Sequence, residues 1–209
     1  MEPMRLTKDL ELQQQLANEA REVEIDLALT PRLSEIGCPN RVGSAALGVM
    51  VCRDLDVTTT CRRLDEATRG LIARLGASVS LHPRVREVCM RDDTGSWRQD
   101  PTYPDGLYLG IQYRSRHGDD WTIDLWFVDQ PELQPDLQHL NVFAPALTDQ
   151  RRAAILAIKK ARTCGVGHSS QASSYDVYRA VLLHGVETPE QFDTWRAGNP
   201  GEANSSDPG

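Results

Sequence analysis

Between residues 7 and 29, Leu10, Leu12, Leu16, Ala20, Val23, Ile25 and Leu27 recur at roughly helical spacing. The pattern predicts one long helix, ended by Thr30-Pro31. LSEIGCPNRVGS (33–44) has no period and reads as a short irregular approach to the apolar run VGSAALGVMV. DLDVTTTC (54–61) alternates and is rich in β-branched residues, as a strand should be. DEATRGLIARLG (65–76) suits a helix closed by Gly76. Three further strands are predicted: VREVCMR (85–91), GLYLGIQYR (106–114) and WTIDLWFV (121–128). The linkers DDTGSWRQDPTYPDG and SRHGDD are turn-rich, and the second is short enough for a hairpin.

From Thr148 onward the pattern turns helical. Thr148 can cap DQRRAAILAIKKAR, and Ser173 can cap SYDVYRAVLLHG. Thr188-Pro189-Glu190-Gln191 opens a last helix, with proline at its first position and glutamine where a capping box needs it. AGNPGEANSSDPG (197–209) has no apolar residue able to pack and predicts a disordered tail. The order implies an α/β (α+β) fold. A sheet-containing part spans 1–145 and a helical part 146–196.

Composition narrows the function without choosing it. A 209-residue chain with 40% hydrophobic and 25% charged residues is an ordinary globular domain. It has no apolar run of the roughly 18 residues a membrane span needs, and its N-terminus has no apolar signal core, so a cytoplasmic protein is expected. Five cysteines without a C-x-x-C pair read as free thiols, and five scattered histidines give no zinc pattern. A net charge of −7 disfavours long nucleic acid as the default partner. A monomer or small homo-oligomer is expected.

The acids are the unusual feature. Strand alternation puts Asp54, Asp56 and Thr58 on one face, and Asp124 on the polar face of a later strand between Ile123 and Leu125. If the two strands are neighbours, three carboxylates converge. Two charges about 7 Å apart along a strand repel by roughly 2 kcal/mol at an effective dielectric of about 20. Divalent cations would remove that penalty, and an all-carboxylate set points to Mg²⁺ or Mn²⁺. Just upstream, Gly43-Ser44 precedes AALGVM, a short helical stretch; the glycine permits close backbone approach, and the serine offers a hydroxyl to a phosphate.

The string Val42-Gly43-Ser44, nine residues, then Asp54-Leu55-Asp56-Val57, with Ile123-Asp124-Leu125 later, resembles the signature of the DNA polymerase β nucleotidyltransferase superfamily. The resemblance covers roughly residues 40–130 and implies a nucleotidyltransferase-like mixed sheet. It implies that Asp54 and Asp56 ligate Mg²⁺ on an NTP, and that Asp124 completes a second metal site and helps deprotonate the attacking hydroxyl. Gly43 and Ser44 would hold the β- and γ-phosphates. Arg53 stands where many members carry serine.

By the same resemblance, Lys159 of the basic stretch RRAAILAIKKAR reaches the triphosphate, Ser174 contacts phosphate and Tyr175 stacks on the nucleobase. Tyr103, Asp105 and Trp97 lie in aromatic loops that could line an acceptor cleft. Phe192 and Trp195 read as anchors of the last helix, and His82 as a turn residue. The implied activity is transfer of an NMP from an NTP to a hydroxyl acceptor, with a small molecule preferred. The alternatives are a toxin-like enzyme acting on RNA or protein, and a member that binds nucleotide without turnover.

Overall fold

A computed structural model describes residues 2–98, 103–163 and 173–199 of the chain. Helix α1 spans Glu2–Asp26. Its stripe Leu16, Ala20 and Val23 is buried, as is Leu27 just beyond its end. The chain breaks at Ala28, which takes a left-handed conformation (φ 49°), and restarts as α2, Leu29–Ser34. The predicted stop at Thr30-Pro31 is therefore corrected. Pro31 sits in the first turn of α2, where a backbone N–H has no helical acceptor and its loss costs nothing.

The stretch predicted to be irregular contains a short edge strand, β1 (Cys38–Arg41), followed by α3 (Gly43–Leu47) and β2 (Asp54–Thr60). Pro39 is tolerated in β1 because an edge strand needs hydrogen bonds on one side only. Helix α4 runs over Glu66–Ser80, and the Asp65 side chain caps it by accepting from the Thr68 N–H. Gly76 does not close this helix. It lies inside it, where an added Cβ would come 3.0 Å from Leu109.

Strands β3 (Val85–Asp93), β4 (Gly106–Arg114) and β5 (Asp120–Val128) follow the prediction closely. Next comes α5 (Pro135–Phe143), an element the sequence pattern does not announce, between two single 3-10 turns. Helices α6 (Asp149–Thr163), α7 (Ser174–His184) and α8 (Pro189–Gly198) complete the described chain. The expected caps form: Thr148, Ser173 and Thr188 accept from the N–H groups of Arg151, Asp176 and Gln191. Ala197 and Gly198, assigned to the disordered tail by composition, form the end of α8; the tail from residue 200 lies outside the described residues.

The sheet order is β1-β2-β5-β4-β3, with β2 and β5 parallel and every other pair antiparallel. One face carries Leu55, Val57, Leu109, Ile111, Ile123, Leu125 and Phe127 into a cluster shared with α1, α2 and α4. A second cluster joins Leu47 and Val49 to apolar residues of α5, α6, α7 and α8, with Phe192 fully buried and Trp195 packed against it. Among the described residues no helix is long and apolar enough to cross a membrane. Among the described residues Cys38, Cys61 and Cys89 are free thiols.

Candidate functional site

The opposite face of β2 and β5 holds the acids. The parallel register pairs Asp56 with Asp124 and Asp54 with Thr122, so Asp56 and Asp124 stand side by side and Asp54 lies two residues along the same face. One carboxylate oxygen from each of the three lies within 4.8 Å of the others, and all three side chains are half-buried. At that spacing each pair of charges repels by about 3 kcal/mol at an effective dielectric of about 20. This donor set fits a hard divalent cation, which prefers oxygen ligands, and lacks the nitrogen or sulfur donors that would suit zinc.

Gly43 faces this cluster from the start of α3. Its φ is +60°, and an added Cβ would lie 2.3 Å from Asp56 Oδ2. Only glycine allows this backbone to approach the acid so closely. The loop is pinned at both ends. The Val42 N–H donates to the Asp56 carbonyl at 3.0 Å, and Arg152 of α6 donates to the carbonyls of Leu47 and Gly48. Ser44 follows Gly43 and is nearly buried.

A cleft of about 420 Å³ opens over these groups. Gly43, Ser44, Asp54, Asp56 and Asp124 line it, as do Lys159, Ser174 and Tyr175. The eight residues that the sequence assigned to metal or nucleotide thus share one cavity. Lys159 is only 8% exposed, and its Nζ donates to the Tyr178 hydroxyl at 3.3 Å. The other cations of α6 are turned to structural tasks. Lys160 pairs with Asp9 and Arg162 with Asp193, while Arg151 and Arg152 donate to backbone carbonyls.

Arg53 lies just before β2 and ion-pairs with Glu19 and Asp119. Tyr103 lines the cleft. Trp97 does not line it and is 74% exposed; Asp105 is also outside the lining and accepts from the Gly95 N–H. His82 contacts the Arg84 N–H and Asp26, as a turn residue would.

Several lining groups carry no signal that the sequence pattern isolates. Helix α5 contributes Asp136 and His139, and the His139 ring stacks on Tyr175 with centroids 4.2 Å apart. Burial lowers the His139 pKa, which favours a neutral imidazole at neutral pH. Trp126 of β5 also lines the cleft. Beside it, Tyr108 of β4 donates its hydroxyl to Asp124 Oδ1 at 2.6 Å. Burial, and then the bond to Asp124, push the Tyr108 pKa well above the ordinary phenol range, so the hydroxyl keeps its proton. The period-2 pattern does put Tyr108 on the polar face of its strand, which was the available signal.

No family model matches the chain, and no curated protein matches its sequence. Solved structures do match. A cytoplasmic RNA terminal U-transferase aligns at a TM-score of 0.52 and 12% identity, covering 85% of this chain and 54% of that one. The Cid1 poly(U) polymerase with bound MgGTP aligns at 0.56 and 14%, covering 88% and 56%. Its H336N mutant bound to MgATP aligns at 0.55 and 15%, with the same coverage. The chain therefore spans about half the length of these structures. Its fold is that of the polymerase β-like nucleotidyltransferases.

Proposed function

We propose that this protein transfers an NMP from an NTP to a hydroxyl acceptor, with Asp54, Asp56 and Asp124 holding Mg²⁺ or Mn²⁺. The observation that carries this reading is the convergence of three half-buried carboxylates within 4.8 Å, beside a glycine whose missing Cβ leaves room for Asp56. The nucleotidyltransferase fold supports it. One or two such ions, when bound, neutralise the triphosphate and stabilise charge on the reacting oxygens.

The chain's own residues supply the rest. The Gly43 backbone and the Ser44 hydroxyl receive the β- and γ-phosphates, and Lys159, which lines the same cleft, adds a positive charge. Ser174 offers a further hydroxyl. The stacked Tyr175 and His139 rings give the nucleobase a flat surface. Asp124 takes the proton of the acceptor hydroxyl as its oxygen attacks the α-phosphorus. A new P–O bond forms, the bond to the β-phosphate breaks, and pyrophosphate leaves.

A small cationic acceptor, such as an aminoglycoside, is the reading favoured by charge. The net charge is −7, and Arg151, Arg152, Lys160 and Arg162 of α6 are engaged within the fold. An RNA end is the second reading, favoured by the likeness to a poly(U) polymerase and an RNA terminal U-transferase.

The test offers each of the four NTPs, labelled at the α-phosphate, with Mg²⁺ or Mn²⁺. The acceptors are a panel of aminoglycosides and lincosamides, total tRNA, and the protein itself. Label should move to one acceptor class, and Asp56→Ala should slow transfer by on the order of 100-fold or more. An unchanged rate in Asp56→Ala would sink the metal-site assignment. Label on tRNA but not on small molecules would replace the first acceptor reading with the second.

A further inference from the structure

The open face of the sheet beyond Asp124 has a construction that the carboxylate cluster does not itself require. In the β4–β5 register Gly110 stands opposite Asp124, and Tyr108 stands opposite Trp126. Tyr108 does not stay over its own partner. It leans along β4 across Gly110 and reaches Asp124, so that a Cβ added at Gly110 would lie 2.4 Å from the Tyr108 hydroxyl. The hydroxyl donates to Asp124 Oδ1 at 2.6 Å, within the range of charge-assisted bonds. The ring is held from two further sides. Trp126 lies against it with centroids 5.2 Å apart. The Arg91 guanidinium sits 4.7 Å from the ring centroid and is itself fixed by a 2.8 Å bond to Asp93.

We infer that Tyr108 is a positioning residue for Asp124, and that Gly110 is glycine to let it reach there. The inference rests on the proposed metal site and deepens it. A carboxylate on a strand rotates about two side-chain bonds, and a metal ligand or proton acceptor must present its oxygens in one orientation. Committing Oδ1 to a fixed phenol selects that orientation before any cation arrives. Hydrogen bonds of this kind to metal-ligating carboxylates are worth about 10- to 100-fold in metal affinity or activity. Arg91 and Trp126 act one step further out, by holding the ring rather than the carboxylate.

The test is Mn²⁺ binding to the full chain, followed by the loss of the free-ion EPR signal, so it needs neither acceptor nor turnover. Tyr108→Phe keeps the ring, its stacking and its contact with Arg91, and removes only the O–H. It should weaken Mn²⁺ binding by about 10- to 100-fold while leaving the far-UV circular dichroism and the thermal midpoint near those of the wild type. Gly110→Ala keeps the hydroxyl but pushes it off Asp124, and should weaken binding in the same direction. Combining the two should add little to either. In an Asp124→Asn background Tyr108→Phe should have no further effect, whereas a role in general stability would persist there.

Asp56→Ala separates the metal site from the role of Tyr108. If Asp56→Ala loses Mn²⁺ while Tyr108→Phe binds it as the wild type does, Tyr108 has no positioning role and the metal site stands. If Asp56→Ala also binds as the wild type does, the three-carboxylate site is wrong and the role of Tyr108 falls with it.

Discussion

Gly43 and Asp56 constrain one another closely. The glycine holds a positive φ, and the place of its missing Cβ lies against the aspartate oxygen. Gly43→Ala therefore acts twice. The left-handed backbone costs a residue with a Cβ about 1–2 kcal/mol, and the new methyl displaces either the loop or the Asp56 carboxylate. A misplacement of about 1 Å at a reacting centre can cost on the order of 100-fold. Transfer by Gly43→Ala should fall by about that factor, with a smaller loss of thermal stability, in parallel rate and melting measurements. A variant that melts early yet transfers at the wild-type rate would show that Gly43 serves the turn alone. That Asp54 and Asp56 share one strand face was legible in the sequence, because it depends only on the two-residue period of a strand. Tyr108 and His139 were not, because each acquires its role from a partner distant in the chain: Asp124 across a hairpin and Tyr175 across two helices.

At the scale of elements, the strands and the capped helices were legible, and the misses share a cause. Pro31, Pro39 and Pro135 each suggest a break, yet each sits where proline is tolerated: in the first turn of α2, in edge strand β1, and at the start of α5. Gly76 misled in the opposite sense, since its small size serves close packing of α4 on Leu109 rather than a helix end. The end of α1 was set by a contact invisible to periodicity. Asp26 accepts from the Tyr113 hydroxyl of β4 at 2.6 Å and pairs with Arg84 and His82 before β3. Desolvation raises the Asp26 pKa, but the bonds from Tyr113 and Arg84 outweigh it and leave the pKa lowered. A carboxylate depressed in the folded state adds stability above its unfolded pKa, about 3.9. That stability is lost as pH falls through the lower folded value. Asp26→Asn should thus lower the melting temperature at neutral pH by the equivalent of about 1 kcal/mol. The difference from wild type should shrink as pH is taken below about 3.9. A difference that does not change across that range would mean the aspartate acts by shape and not by charge.

For the whole molecule, the cleft lies between two hydrophobic clusters, one under the sheet and one among the C-terminal helices. Helix α3 joins them: Ala45 packs on the first and Leu47 belongs to the second. Both clusters are closely buried, so the fold can hold the acids together without a cation, at a cost in repulsion. This sets a prediction whose sign separates function from structure. Without divalent ions, Asp56→Asn removes one charge from the cluster and should stabilise the chain by about 1–2 kcal/mol after screening. For a protein of this size that corresponds to about 2–8 °C in melting temperature. Adding Mn²⁺ at about 100 times its Kd should then stabilise the wild type by about 2.7 kcal/mol and the variant far less, reversing their order. Acids that served the fold would behave in the opposite way. Replacing one would destabilise the chain in chelator, and the cation would leave the ranking unchanged. A melting series of the two proteins with and without Mn²⁺ therefore decides whether the three carboxylates are kept together for a ligand or for the sheet.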